Sequence, residues 1–125
     1  MEAVQPILVV EDEALIRMSL VEALVAGGYT VSDCEDGAAA IAFIDASNEL
    51  HGLATDIKLG KGPSGWEVAH YARQKYPDIA VVYMTGDSAA DWSAEGVPHS
   101  ILLQKPFADA QMLTAMATLM IRASS

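Results

Sequence analysis

Five polar residues follow closely on short apolar runs along the chain. Glu11 and Asp12 come after Ile7-Leu8-Val9-Val10, and Asp56 after the stretch containing Leu53 and Ala54. Thr85 comes after Ile79 to Met84, and Lys105 shortly after Ile101-Leu102-Leu103. Crowded carboxylates repel one another, so they take up a proton or gather a cation. A set of oxygen ligands suits Mg²⁺, which keeps several waters and takes one or two carboxylates together with phosphate oxygens. With a cation on Asp12 and Asp56, the second oxygen of Asp56 would be free to attack phosphorus, a known role for carboxylates. Phosphoryl transfer asks chiefly for positioning and charge neutralisation, which Mg²⁺ and Lys105 would supply from two sides. Thr85 would donate a hydrogen bond to a phosphoryl oxygen, and the amide after it a second. Singly, each residue has a plainer role. Glu11 and Asp12 would suit a helix start, Asp56 a turn, Thr85 a strand exit before Gly86, and Lys105 a solvated charge. Their shared placement after successive strands is what favours a site.

The elements that must carry these residues alternate. Residues 7–10 form a continuous apolar, β-rich run, the pattern of a strand buried on both faces. Ile16, Leu20, Ala23, Leu24 and Gly27 repeat at helical spacing, and Gly27-Gly28 ends that helix. A strand over 29–34, an alanine-rich helix over 37–47 opening near Asp36, and a short strand over 50–55 follow. Ser64 and Glu67 have capping-box spacing, so a helix starts there and runs to about residue 76, where Pro77 ends it. Strands at 79–84 and 101–103 and a closing helix over 108–122 complete the series. Residues 87–98 have only Trp92 and Val97 as large apolar anchors. Gly96 and Pro98 limit them to a short helix or irregular loop, a weakly held segment suited to repositioning. Five strands alternating with helices predict an α/β fold, a doubly wound parallel sheet of flavodoxin-like order 2-1-3-4-5 with helices on both faces. In such sheets sites collect beyond the carboxyl ends of the strands, where the five polar residues fall.

The chain has 125 residues, of which 52% are apolar, enough for one domain with a substantial core. Its net charge of −10 repels phosphate backbones and anionic lipid, so neither nucleic-acid nor membrane binding is expected. No run approaches the roughly 20 apolar residues of a membrane span, and no signal-peptide core is evident, so a cytoplasmic location is expected. Cys34 is the only cysteine and reads as a small apolar strand residue. His51, His70 and His99 lack metal-ligand spacing and read as surface or strand-end residues. Met112, Met116 and Met120 form a stripe on the last helix, suited to the core or to a partner. Ala14, Met18, Val21 and Val25 form a second apolar stripe on the first helix, a candidate docking face.

Val9-Val10-Glu11-Asp12-Glu13, Asp56, Met84-Thr85-Gly86 and Lys105-Pro106-Phe107, in this order through nearly the whole chain, resemble the receiver domains of two-component response regulators. The resemblance implies a single receiver domain over residues 1–125. It also implies transfer of a phosphoryl group from a sensor histidine kinase to Asp56, with Thr85 and Lys105 assisting. An Mg²⁺ site would be formed by Asp12, Asp56 and the backbone carbonyl of Lys58, with Glu11 acting through water. The chain would be no enzyme beyond its own phosphorylation and dephosphorylation, and the Lys105-Pro106 bond would be cis. The chain departs from the family pattern twice. The loop after Asp56 has Gly60 where proline is usual and is about one residue longer, and Leu102 replaces the aromatic that normally couples threonine movement to output. Another element must then sense Thr85, and residues 87–98 are the candidate. Tyr83-Met84-Thr85-Gly86-Asp87 is similar to alphaproteobacterial single-domain receivers that often serve HWE-type kinases. No output domain follows Arg122, so the output would be a contact with an unknown downstream protein, or a phosphate shuttle or sink, unless the chain is part of something longer.

Three other readings compete. A haloacid-dehalogenase-like phosphohydrolase would want an aspartate at position 58, where lysine stands. A dinucleotide module would want a glycine-rich first loop, where Glu11-Asp12-Glu13 stands. A pseudo-receiver that binds partners without phosphorylation would usually have lost one of the five polar residues. Lys105, read as a strand-exit charge, would contribute under about 0.5 kcal/mol to stability.

Overall fold

The computed structural model describes residues 5–87 and 89–124, with only the backbone of Ala89 and Ser124, so Ser88 of the 87–98 segment lies outside the described residues. The strands are β1 (Pro6–Val10), β2 (Thr30–Cys34), β3 (Gly52–Asp56), β4 (Ala80–Thr85) and β5 (Ser100–Gln104). The helices are α1 (Ala14–Ala26), α2 (Gly37–Ala46), α3 (Gly65–Lys75), α4 (Trp92–Glu95) and α5 (Asp109–Ser124), with a 3₁₀ turn at Ala89–Asp91. All neighbouring strands pair in parallel, in the order β2-β1-β3-β4-β5. The predicted flavodoxin-like α/β fold is the observed one.

The unbroken apolar strands are central for the expected reason. The side chains of β1, β3 and β4 are buried almost throughout, because helices cover both faces of the sheet. One core layer joins Leu8, Val10, Leu53, Val81 and Tyr83 to α2 and α3. The other joins Ile7, Val9, Ala54, Val82 and Met84 to α1 and α5. Met112 and Met116 are fully buried in the second layer and Met120 packs at its edge, so the methionine stripe is core. On α1, Leu20, Ala23 and Leu24 face inward and Val21 packs at the margin, while Met18 and Val25 remain exposed.

Local chemistry starts and stops these elements where expected, within a residue or two. Asp36 caps α2 by accepting from the Ala39 amide at 2.8 Å, and Ser64 caps α3 by accepting from the Glu67 amide at 3.3 Å. The 87–98 segment holds the 3₁₀ turn and the single turn of α4. Several bonds fasten it: Trp92 Nε1 donates to Ser100 Oγ, the Val97 amide donates to Tyr83 Oη, and Arg73 Nη1 donates to the Pro98 carbonyl. His70 sits 2.8 Å from the Glu95 carbonyl.

Candidate acidic site at the strand ends

The register of the sheet gathers the polar residues. β1 and β4 both pair with β3, and Asp56, the last residue of β3, lies opposite Met84. Chain that has just left β1 therefore sits on one side of Asp56, and Thr85 at the end of β4 on the other. The Lys105 amide donates to the Thr85 carbonyl at 2.7 Å, which ties the β5 exit to the same rim.

Glu11, Asp12 and Asp56 each place a carboxylate oxygen within 4.8 Å of the others. Glu11 is fully buried, Asp56 is nearly so, and Asp12 is exposed. Lys105 Nζ donates to Glu11 Oε1 at 2.8 Å and to Asp56 Oδ2 at 3.2 Å. Asp56 Oδ1 accepts from the Ile57 amide at 2.9 Å, and Glu11 Oε2 from the Glu13 amide at 3.1 Å. The Thr85 hydroxyl accepts from the Asp87 amide at 3.2 Å. The Lys58 side chain leaves the cluster to pair with Asp87 at 2.8 Å; its backbone carbonyl belongs to the loop two residues beyond Asp56. The peptide bond between Lys105 and Pro106 is cis.

Electrostatics matches this crowding. Burial is the main influence raising the pKa of both Glu11 and Asp56, and it prevails over the opposing pull of Lys105. For Lys105, burial works the other way, but the hydrogen bond to Glu11 and the charges of Asp56 and Glu11 outweigh it, and its pKa is raised. Lys105 is therefore no solvated strand-exit charge: its side chain is 22% exposed and sits between two carboxylates. Three carboxylates against one ammonium leave excess negative charge in a partly dry pocket. That all-oxygen donor set fits a hard divalent cation.

Two residues near the site gave no functional signal in the sequence. Gly65 donates its amide to the Ile57 carbonyl at 2.8 Å, and a Cβ on it would run into the Asp56 carbonyl oxygen. Its spacing announced only a helix start. Leu15, left out of both apolar stripes on α1, is 82% exposed and lines a groove of about 530 Å³ with Ile16, Leu20, Lys105, Pro106 and Phe107. The loop after Asp56 turns through Gly60 and Gly62, with φ of 78° and 89°, a region that favours glycine. His70 and His99 are exposed and His51 is partly so.

Comparison with known proteins agrees with this geometry. The profile of the response regulator receiver domain matches residues 7–117. A crystal structure of a response regulator receiver protein from Sinorhizobium medicae superimposes with a TM-score of 0.93 at 36% identity, covering 96% of this chain and 97% of the other. Response regulator MprA of Mycobacterium ulcerans is 31% identical over 93% of this chain, which spans 50% of that protein's length. Sensor kinase CckA of Brucella abortus is 31% identical over 86% of this chain, equivalent to 12% of the kinase. The chain thus spans about half or less of the curated relatives described. No helix among the described residues is long and apolar enough to cross a membrane. With its strand order, its rim of acidic residues and a family profile over most of its length, the chain belongs to the response regulator receiver domains of two-component systems.

Proposed function

We propose that this receiver takes a phosphoryl group onto Asp56 from the phosphohistidine of a sensor histidine kinase, one of HWE type, in the cytoplasm. The observation that carries the reading is the placement of Asp56: a buried carboxylate beside Glu11 and Asp12, with one oxygen on the Lys105 ammonium and the other on the Ile57 amide. In the reaction an Asp56 oxygen forms a bond to phosphorus as the phosphorus–nitrogen bond breaks, and the electron pair returns to the imidazole. Lys105 neutralises charge on the transferring group, and the Thr85 hydroxyl donates to a phosphoryl oxygen. Asp12, Asp56 and the Lys58 carbonyl would hold Mg²⁺, with Glu11 acting through water. When bound, the ion supplies charge neutralisation and alignment. The chain modifies only itself, and in that sense is no enzyme.

The kinase would dock on the α1 face, where Met18 is exposed and where exposed Leu15 lines a groove together with Pro106 and Phe107. Output would pass through residues 87–98 to a downstream protein. Leu102 has no aromatic ring to rotate, and α4 is a single turn held to the fold by a few hydrogen bonds that would have to rearrange. Incubation with acetyl phosphate and Mg²⁺ should add one phosphoryl mass, and Asp56→Asn should abolish the addition. A labelled Asp56→Asn protein would overturn the assignment. Hydrogen exchange over the described part of 87–98 should change with beryllofluoride; equal exchange with and without it would remove the switch.

A further inference from the structure

We propose that Arg17, on α1 outside the acidic cluster, is a positioning residue that holds the Glu11–Asp12 peptide in its cation-binding geometry; this rests on the reading of the cluster as an Mg²⁺ site. The main chain of Glu11 is held on both sides. Its amide donates to the Cys34 carbonyl at 3.1 Å, and its carbonyl accepts from Arg17 Nη1 at 2.8 Å. The same guanidinium uses Nε to donate to Asp33 Oδ2 at 2.9 Å. One rigid fork thus spans the turn after β1 and the end of β2. The Arg17 side chain is 16% exposed against 45% for Asp33, so its position is set by packing more than by the surface pair.

The direction of the Glu11 carbonyl fixes the plane of the following peptide, because that bond is planar. The plane in turn fixes the position of the Asp12 Cα, the anchor from which the exposed carboxylate leaves the chain. From the helix side the main chain also helps, since the Arg17 amide donates to the Glu13 carbonyl at 2.9 Å. Glu13, the residue before α1, makes no side-chain capping bond, and the first turn of α1 carries no acidic residue. Glu11 itself is occupied by Lys105 and the Glu13 amide. Among the described residues, Arg17 is thus a side chain of the helix body that bonds directly to the acidic turn.

Charge and geometry make opposite demands here, which gives the test its sign. A guanidinium near a cation site repels the cation, so loss of its charge alone would tighten Mg²⁺ binding. Loss of the fork would loosen it. Arg17→Lys keeps the charge and loses the planar pair of donors; Arg17→Met loses both and keeps an apolar stem. Titration of the folded proteins with MgCl₂ by calorimetry, beside thermal melts, reads the two effects separately. Arg17→Lys should bind Mg²⁺ about tenfold more weakly, at the low end of losses for groups that orient ligands. Arg17→Met should also bind more weakly despite the lost positive charge, with both proteins still melting cooperatively. Mg²⁺ binding equal to wild type in Arg17→Lys, or tighter binding in Arg17→Met, overturns the inference and leaves the proposed function standing. A wild-type protein that does not bind Mg²⁺ overturns both.

Discussion

Gly65→Ala tests whether the backbone beside Asp56 is as tightly built as the structure indicates. A Cβ at position 65 would collide with the Asp56 carbonyl oxygen and lie 2.8 Å from Ile57 Cα and 2.9 Å from the Asp56 carbonyl carbon. All three are main-chain atoms, so no side chain can swing aside. The start of α3 would have to lift away from β3, stretching the 2.8 Å bond from the Gly65 amide to the Ile57 carbonyl. Overpacking of this kind costs about 1–3 kcal/mol, and a weakened hydrogen bond adds about 1 kcal/mol. Alanine regains up to about 1 kcal/mol over glycine inside a helix, less at its first position. Overpacking wins, for a net loss of about 1–3 kcal/mol and, at about 4 °C per kcal/mol in a domain of this size, a fall in Tm of about 4–12 °C. Because the displaced atoms belong to Asp56, Mg²⁺ affinity and the phosphorylation rate should fall as well. Circular-dichroism melts and a calorimetric Mg²⁺ titration would measure both. A Gly65→Ala protein that melts at or above wild type and binds Mg²⁺ unchanged would refute the reasoning.

Three further outcomes follow from the electrostatics and the buried hydrogen bonds. Burial raises the Asp56 pKa on folding, so the stability this group contributes is present at low pH and lost as pH rises through its folded value. Asp56→Asn should therefore raise Tm at pH 7, with the gain shrinking as the buffer is acidified; a lower Tm at pH 7 would contradict this. Lys105→Ala strips buried Glu11 of its ammonium and should cost about 1–3 kcal/mol at pH 7. The penalty should shrink in acid as Glu11 takes up a proton, and denaturant melts at both pH values would show a pH-independent loss if the reasoning fails. Tyr83→Phe leaves the buried Val97 amide without its acceptor and should destabilise by about 1–3 kcal/mol. Faster hydrogen exchange should then be confined largely to the described residues between Ala89 and Pro98, and unchanged protection there would count against the fastening described.

Much of the site was legible because its parts share one linear relation, a polar residue close behind an apolar run. In a parallel sheet every such exit lies on the same edge, so Glu11, Asp12, Asp56, Thr85 and Lys105 converge once the strands are recognised. Helix starts were legible for a similar reason, since Asp36 and Ser64 act on amides three residues away. Strand ends were less sharp. β3 begins two residues later than its apolar pattern implied and takes in Asp56, because pairing with β4, rather than side-chain type, decides where a strand stops.

What the sequence by itself determined is the class of fold, the order of its elements and the chemistry of the strand-end residues, all of which rest on periodicity and local capping. The tertiary structure alone decided the relations between residues far apart in the chain. Gly65 had to be glycine because of the Asp56 carbonyl, and Lys105 became a partly buried counter-ion because of Glu11. Arg17 was drawn to the acidic turn by Asp33 at the end of another strand, and Leu15 was left exposed beside Phe107. Spacing along one element sets which face a residue occupies. Its partner on that face is set by how elements separated by tens of residues pack together, and no local pattern encodes that.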